Sequence, residues 1–279
     1  MKRLLITGGS SYLGRHLVPA AVERYEVRYT YFANDPLALE IGVQLDLRDL
    51  DAVHSLVDSF RPQAIIHTAG SNRSPDMETV IVEGATHIVA AGDRCQARLI
   101  HLSSDVVFDG RQAPYREDDP VSPLHAYGRA KARAESIVAG YVDQVTVRTS
   151  LIYGLGIMDR STEWIAASLR AGRQVTLFED QWRNPIWAGS LSRACLELVE
   201  LGYGGTLNVA GAQEMTRAEF GLKLLDWWAI EERAGLQSGH SDERWPRDCR
   251  LDISLARRLL STRLPGVDEV MATRARDGG

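Results

Sequence analysis

The stretch that decides the fold is MKRLLITGGSSYLG, which runs from Met1 to Gly14. Residues 2–7 are mostly apolar and end at Gly8-Gly9, which predicts a buried strand that stops at a turn. Apolar residues then recur at helical spacing, at Leu13, Leu17 and Ala21. A strand, a glycine turn and a helix in this order point backbone N–H groups at a phosphate. The stretch therefore predicts the first unit of a dinucleotide-binding sheet.

The turn has a fault in its glycine pattern. Residues 7–14 fit T-G-x-x-G-x-x-G except that Ser11 replaces the middle glycine. A serine still allows a close approach and can donate its hydroxyl to a pyrophosphate. The alternative is an ordinary strand-to-helix turn without a ligand. The cofactor contacts predicted here are Gly8, Ser10, Ser11, Tyr12, Leu13, Gly14 and Arg15. Pro19 should kink or shorten the helix that follows.

Five further apolar runs follow the first strand. They are Val27–Phe32, Val43–Leu45, Ala64–His67, Arg98–Leu102 and Val145–Thr149. Helical patterns separate several of them, including one over Leu50–Phe60. Strands that alternate with helices predict an α/β fold with a Rossmann-type, doubly wound parallel sheet.

Small and polar residues follow several of these strands. The carboxyl ends of parallel strands form the ligand face of such a sheet. Asp46 could accept a hydrogen bond from an adenine amino group, or it could cap the helix that begins at Leu50. Small residues let a flat cofactor lie against the backbone, whereas His67 is predicted to be structural. The cofactor contacts predicted at these strand ends are Asp46, Leu47, Thr68, Ala69, Gly70 and Ser103.

The end of the second strand bears on the choice of cofactor. NAD-specific units place an acidic residue there to hold the ribose diol. This chain has Tyr31-Phe32-Ala33-Asn34, and no acid appears before Asp35. Arg15 directly follows Gly14 and could meet a 2′-phosphate, although it could also be a solvated helix residue. The sequence favours NADP(H) over NAD(H).

The candidate catalytic pair is Tyr127 and Lys131. Their spacing of four places them on one face of a helix. A cation beside a phenol lowers the pKa of the phenol, which would make Tyr127 a better proton donor at neutral pH. The pair could also arise by chance, because a Tyr-x-x-x-Lys spacing is weak evidence by itself.

The composition excludes several classes of protein. A net charge of −5 over 279 residues leaves no electrostatic footprint for nucleic acid. Three widely spaced cysteines and an isolated His240 predict no disulfide framework and no metal site, and they favour a reducing compartment. No apolar run approaches membrane-spanning length, and Met1 leads directly into a strand rather than a signal peptide. We therefore expect a cytoplasmic protein that contacts neither membrane nor nucleic acid.

Taken together, these motifs resemble an extended short-chain dehydrogenase/reductase. The resemblance is strongest to the dTDP-4-dehydrorhamnose reductase branch and to its relative, the regulatory β subunit of methionine adenosyltransferase. Besides the glycine turn and residues 127–131, the segments that follow the family order are 103–110, 114–117, 148–154, 180–185, 205–211 and 251–252.

The resemblance implies a division of the chain and a set of roles. Residues 1–150 would bind NAD(P), with a return segment at about 186–202, and residues 151–279 would form a smaller α/β lobe for substrate. Ser104, Tyr127 and Lys131 would be catalytic, and Tyr127 and Lys131 would also bind the cofactor, with Lys131 on its ribose. The implied substrate is a nucleotide-linked keto sugar, and the oligomer implied is a homodimer. Expected substrate contacts are Ser71, Asn72, Ser104, Asp105, Val106 and Leu151.

All six tryptophans lie in the second half of the chain, and core packing of the smaller lobe is the prediction for most of them. Trp182 and Arg183, together with Trp187, flank a loop that contains Pro185. Trp182 and Arg183 are therefore candidates for stacking on a base or pairing with a pyrophosphate.

Four positions depart from the family pattern. Besides Ser11, Val106 replaces a tyrosine and Leu151 replaces a tryptophan, both of which contact sugar in the rhamnose-pathway reductases. Ile81 replaces an asparagine, which weakens an expected proton relay. The leading hypothesis is an NAD(P)H-dependent reductase of a nucleotide-linked 4-keto deoxysugar. The alternatives are a non-catalytic NADP-binding regulatory protein and, last, an epimerase or dehydratase.

Overall fold

The computed structural model describes residues 1–70 and 75–277. Its strands are β1 (Arg3–Thr7), β2 (Glu26–Tyr31), β3 (Gly42–Gln44), β4 (Ala64–His67), β5 (Arg98–Leu102), β6 (Gln144–Arg148), β7 (Ile152–Tyr153), β8 (Val175–Phe178), β9 (Trp182–Arg183), β10 (Ile186–Trp187), β11 (Gly205–Asn208), β12 (Met215–Thr216) and β13 (Leu236–Gly239). Its helices are α1 (Gly14–Val22), α2 (Leu50–Phe60), α3 (Met77–Cys95), α4 (Ala126–Val138), α5 (Arg160–Arg170), α6 (Ala188–Glu200), α7 (Arg217–Trp227), α8 (Ser254–Leu259) and α9 (Val267–Asp277).

Seven of the described strands form one parallel sheet in the order β11-β6-β5-β4-β1-β2-β3. The register places Ile6 of β1 beside Tyr29 of β2 and beside Ile66 of β4. The strand order reverses at β1 and β4, and ligands of doubly wound sheets bind in the crevice at such a switch point. The predicted Rossmann-type sheet is confirmed.

Both faces of the sheet are covered, as expected for parallel strands with near-continuous apolar sequences. Leu4 and Ile6 pack into a core with α1 and α6, whereas Leu5 packs into a second core with α2, α3 and α4. The smaller lobe has its own core, built on α5, β8 and α7.

The sequence predictions matched most elements to within two residues. Residues 50–60, 64–67 and 98–102 have the expected bounds, and α1 continues past Pro19 to Val22. The seventh strand, β11, was missed. In addition, residues between Leu251 and Leu264 pack into the first core. More segments therefore return across residue 150 than the single one predicted.

The expectation that most tryptophans lie in the core is wrong for three of them. Trp164, Trp182 and Trp245 are 53%, 38% and 48% exposed. By contrast, Trp228 packs against the cores of the smaller lobe. Among the described helices, none has the length and apolar character needed to cross a membrane.

Candidate active site

A cleft of about 940 Å³ runs along the carboxyl ends of the sheet strands and continues to the smaller lobe. It brings together most of the predicted site residues, namely Gly8, Ser10, Ser11, Tyr12, Leu13, Arg15, Asp46, Leu47, Thr68, Ala69, Gly70, Ser103, Ser104, Asp105, Val106, Tyr127, Lys131, Leu151 and Arg183. Trp182 and Gly14 do not line it. Ser71 and Asn72 lie outside the described residues.

The glycine turn forms one end of the cleft. Gly8 has a φ of +73°, and a Cβ there would lie 2.8 Å from the Ala69 backbone, so the chain can pass only without a side chain. The turn leads directly into the N-terminus of α1, where the helix dipole favours an anion. This cradle fits the pyrophosphate of a dinucleotide.

The hydroxyl of Ser11 has a local role in this turn. Its Oγ accepts from the Gly14 N–H at 3.0 Å and lies 3.2 Å from Thr68 Oγ1. Because Thr68 Oγ1 donates to the Thr7 carbonyl at 2.9 Å, Ser11 is the donor to Thr68. The Ser11 hydroxyl, which was predicted to donate to the pyrophosphate, therefore donates to Thr68. Ser11 could donate to a ligand only by breaking this hydrogen bond.

Asp46 does not cap α2. Asp49 does so, with its side chain accepting from Ala52 N–H at 3.0 Å. Asp46 instead binds Arg48, whose Nε and Nη2 donate to the carboxylate at 3.0 and 2.7 Å. This arginine also lines the cleft and lies 5.8 Å from the centre of the Phe32 ring. The sequence analysis missed Arg48, although the spacing Asp46-Leu47-Arg48 could have indicated the ion pair.

Tyr127 and Lys131 lie on α4, as the spacing predicts. The Nζ of Lys131 is buried and donates to the Leu102 carbonyl at 2.9 Å. Burial lowers the pKa of Lys131 to about 8, and Glu135 one turn later acts in the opposite direction. A buried ammonium near neutrality is suited to binding a ligand hydroxyl.

The predicted depression of the Tyr127 pKa is wrong in the unliganded site. Burial and the nearby Asp105 carboxylate raise this pKa to about 12, while a hydrogen bond with Ser104 acts to lower it. Helical spacing placed the lysine correctly, but it did not reveal the desolvation or the position of Asp105. Tyr127 is thus fully protonated at neutral pH.

Asp105 and Arg183 form a buried ion pair beside these groups. Arg183 Nε lies 3.4 Å from Asp105 Oδ2, and the same oxygen accepts from Ser150 Oγ at 2.6 Å. The remaining nitrogens of Arg183 donate to the carbonyls of Trp182, Pro246 and Arg247. The guanidinium is therefore already satisfied, which weighs against its predicted pairing with a pyrophosphate.

Trp182, the other residue predicted from this loop, does not line the cleft. Its ring lies 5.5 Å from the Arg250 guanidinium.

The three remaining departures from the family pattern occupy different surroundings. Val106 and Leu151 line the cleft, whereas Ile81 is a residue of α3 that is buried in the second core.

Three further residues of the cleft lining escaped the sequence analysis: His125, Arg217 and Trp245. Arg217 is half-buried, and its Nη1 donates to Gln181 Oε1 at 3.2 Å. Burial and the charge of Arg183 lower the pKa of Arg217 to about 10. Only the position of His125, two residues before Tyr127, offered a signal. Within the described part of the chain, no group of three His, Cys, Asp or Glu side chains could hold a metal ion.

The chain is similar to two proteins named as reductases and to a subunit of a methionine adenosyltransferase. A dTDP-4-keto-6-deoxy-D-glucose reductase from Streptomyces niveus is 32% identical, over 77% of this chain and 74% of the relative. A probable low-salt glycan biosynthesis reductase from Haloferax volcanii is 29% identical, over 96% and 95%. The β subunit of methionine adenosyltransferase 2 from Bos taurus is 26% identical, over 91% and 81%.

Solved structures share the fold over the same length. A hypothetical dTDP-4-dehydrorhamnose reductase from Sulfolobus tokodaii superposes with a TM-score of 0.81 at 30% identity, covering 95% of this chain and 97% of that one. A dTDP-4-dehydrorhamnose reductase from Bacillus anthracis, solved in complex with NADP, also gives 0.81, at 22% identity and with 96% and 97% covered. A family profile for the RmlD substrate-binding domain matches residues 1–265. The chain therefore belongs to the RmlD substrate-binding domain family.

Proposed function

We propose that the protein is an NAD(P)H-dependent reductase of a nucleotide-linked 4-keto deoxysugar. The observation that carries this proposal is the convergence of Ser104, Tyr127 and Lys131 on one cleft. The same cleft has a glycine-rich cradle at one end and the smaller lobe at the other. Its volume of about 940 Å³ is at the upper end of the range typical for ligand pockets.

The three residues divide the work of carbonyl reduction. A bound reduced nicotinamide would supply the hydride. Tyr127 is protonated at neutral pH, so it can give its proton to the carbonyl oxygen as negative charge develops there. Ser104 would hydrogen-bond the same oxygen once its hydroxyl leaves the Asp105 carboxylate, to which it donates at 3.2 Å. Lys131 is expected to hold the ribose hydroxyls of the cofactor, and its charge would favour the tyrosinate that forms.

The geometry at Asp105 weighs against the dehydratase and epimerase alternatives. Such chemistry on this scaffold calls for a further acid or base beside the catalytic hydroxyl. Asp105 occupies that position, but its carboxylate is bound by Arg183 and Ser150 and is 3% exposed. It is placed as the partner of a buried cation and not as a free proton carrier.

The adenosine end of the cleft supports NADP(H) over NAD(H). Asp35 follows β2 but accepts from the buried Tyr29 hydroxyl at 2.6 Å, so this carboxylate is already engaged within the protein. Arg15 and Arg48 line the same region, but the Arg48 guanidinium is paired with Asp46 and Asp76. Arg15 is therefore our candidate for a 2′-phosphate, which a guanidinium suits better than a free diol.

Arg217 is our candidate for binding the diphosphate of the substrate. No ion pair among the described residues involves Arg217. Gln181, whose side-chain oxygen accepts a hydrogen bond from Arg217, is neutral. A half-buried guanidinium without a carboxylate in contact favours an anionic ligand. The N-terminus of α5, capped by Asp159, also lines this end of the cleft.

The regulatory reading is the second candidate, and one observation favours it. Val106 and Leu151 occupy cleft positions where the rhamnose-pathway reductases contact sugar, and neither can stack or donate a hydrogen bond. The similarity to the methionine adenosyltransferase β subunit is consistent with that reading. Under it, the protein would bind cofactor and a protein partner without turnover.

The test follows NADPH absorbance while dTDP-, UDP- and GDP-linked 4-keto sugars are added one at a time. Stoichiometric oxidation with one of them supports the reductase. Tight NADPH binding with no oxidation across the panel would overturn it and favour the regulatory protein.

We also propose a cytoplasmic location, which the three free cysteines support. In addition, we propose a homodimer, which size-exclusion chromatography with light scattering would test.

A further inference from the structure

His125 is held in a single orientation at the start of α4. It is the N-cap residue, and its Nδ1 accepts from the Gly128 N–H at 3.2 Å. A nitrogen that accepts a hydrogen bond carries no proton, so the neutral ring has its proton on Nε2. Burial, together with the charges of Arg129 and Arg183, lowers the pKa of His125 and keeps it neutral.

Among the described residues, the Nε2–H group of this ring has no hydrogen-bond partner, although it is buried. An unpaired buried donor is costly, so such a group calls for an explanation. His125 lines the cleft, and its ring lies parallel to that of Tyr127 at a centroid distance of 6.4 Å. The unpaired Nε2–H group therefore belongs to the ring that lies beside Tyr127, the proposed proton donor.

Trp245 also packs against His125. The two rings lie 5.0 Å apart with an interplanar angle of 51°. The indole is nevertheless 48% exposed and also lines the cleft. An exposed tryptophan at the edge of a binding cleft leaves a large apolar face available to a ligand.

We propose that His125 and Trp245 are the specificity-determining residues for the sugar, and that they replace the aromatic contacts missing at Val106 and Leu151. This inference rests on the proposed function, because it assumes a nucleotide-linked sugar beside Tyr127. The Trp245 ring moves from the imidazole onto the apolar face of the sugar. The Nε2–H of His125 then donates to a sugar hydroxyl.

The test measures binding without turnover. Calorimetry with the oxidised cofactor present compares dTDP-4-keto-6-deoxy-D-glucose with dTDP alone. Trp245→Ala should weaken the sugar nucleotide about tenfold and leave dTDP within about twofold of wild type. Trp182→Ala is the matched control, because Trp182 is also exposed but lies outside the cleft, and it should change neither affinity.

Two substitutions separate the cap from the donor at His125. Asn can accept from Gly128 N–H as Nδ1 does but does not reach the position of Nε2, whereas Gln places its amide N–H near Nε2. Asparagine should keep the helix and lose about tenfold in affinity for the sugar nucleotide. Glutamine should recover most of that loss, although it caps the helix less well.

The outcomes are distinguishable from failure of the proposed function. Equal weakening of dTDP and of its sugar conjugate by Trp245→Ala would assign the ring to the nucleotide and overturn the proposal. No gain in wild-type affinity from the sugar, or no effect of either variant, would also overturn it. If the sugar adds affinity through these residues but NADPH is never oxidised, the specificity assignment stands and the reductase proposal fails.

Discussion

Substitution of Glu135 by Gln tests the buried ion pair beneath the active site. Glu135 and Arg148 are 10% and 6% exposed at their side chains. Arg148 donates from Nε to both carboxylate oxygens at 3.2 Å and from Nη2 to one of them at 2.8 Å. Ser103 also donates to Glu135. The carboxylate therefore satisfies four donor contacts inside the protein.

The cost follows from what Arg148 retains. After Glu135→Gln its remaining partners are the Glu117 carbonyl at 3.1 Å and the face of Phe108 at 4.9 Å, neither of which carries a negative charge. Removing one partner of a buried pair typically costs about 3–5 kcal/mol. At roughly 2 °C for each kcal/mol in a chain of this length, we expect the Tm to fall by about 6–10 °C.

Differential scanning calorimetry measures this shift directly. The matched control is the double variant Glu135→Leu, Arg148→Met, which removes both charges and should unfold at a higher temperature than Glu135→Gln. A Tm within about 2 °C of wild type for Glu135→Gln would refute the reasoning. So would a double variant that is less stable than the single one, because an uncompensated Arg148 would then not be the cause.

Three further predictions concern the cleft. Because the pKa of Lys131 is about 8, kcat/KM should fall as the pH rises through that value and the ammonium is lost, and a flat pH–rate profile from pH 6 to 10 would contradict this role. Arg15→Ala should raise the KM for NADPH about tenfold and change the KM for NADH less than twofold. Equal changes for the two cofactors in steady-state assays would remove the 2′-phosphate assignment. Gly70→Ala should destabilise the protein by about 1–3 kcal/mol in urea unfolding. The reason is that Gly70 has a φ of +127° and an added Cβ would lie 3.0 Å from Ile81 Cγ1. An unchanged free energy of unfolding would contradict this and show that the turn relaxes.

Local pattern was sufficient for the fold wherever strand and helix alternate. The strands predicted from the sequence are short apolar runs bounded by glycine or polar residues. Such a run can be recognised from its own residues, without knowledge of the strands that it pairs with. The strand at Gly205–Asn208 was missed because its stability comes from its pairing with Gln144–Arg148, more than fifty residues away in sequence. A four-residue segment with a single large apolar side chain carries little signal of its own.

The candidate site shows the same difference between residues that a local pattern reveals and residues that only tertiary packing brings together. Residues at strand ends, such as Ser103, and the helical pair Tyr127 and Lys131 were accessible from position and spacing alone. Arg217 and Trp245 enter the cleft through tertiary packing of the smaller lobe, which no local pattern encodes. The direction of the Tyr127 pKa was wrong for a related reason, since desolvation and the carboxylate of Asp105 outweigh the favourable spacing of Lys131.

The most direct test of the central claim is isotope transfer to the product. The protein is incubated with nicotinamide-deuterated NADPH and the 4-keto sugar nucleotide, and the sugar is examined by NMR, with Tyr127→Phe as the matched variant. We predict deuterium at C4 of the reduced sugar with wild type, and a rate lower by about 10²–10⁴ with the variant while NADPH binding is retained. Product without deuterium at C4, or a Tyr127→Phe variant as fast as wild type, would contradict the mechanism.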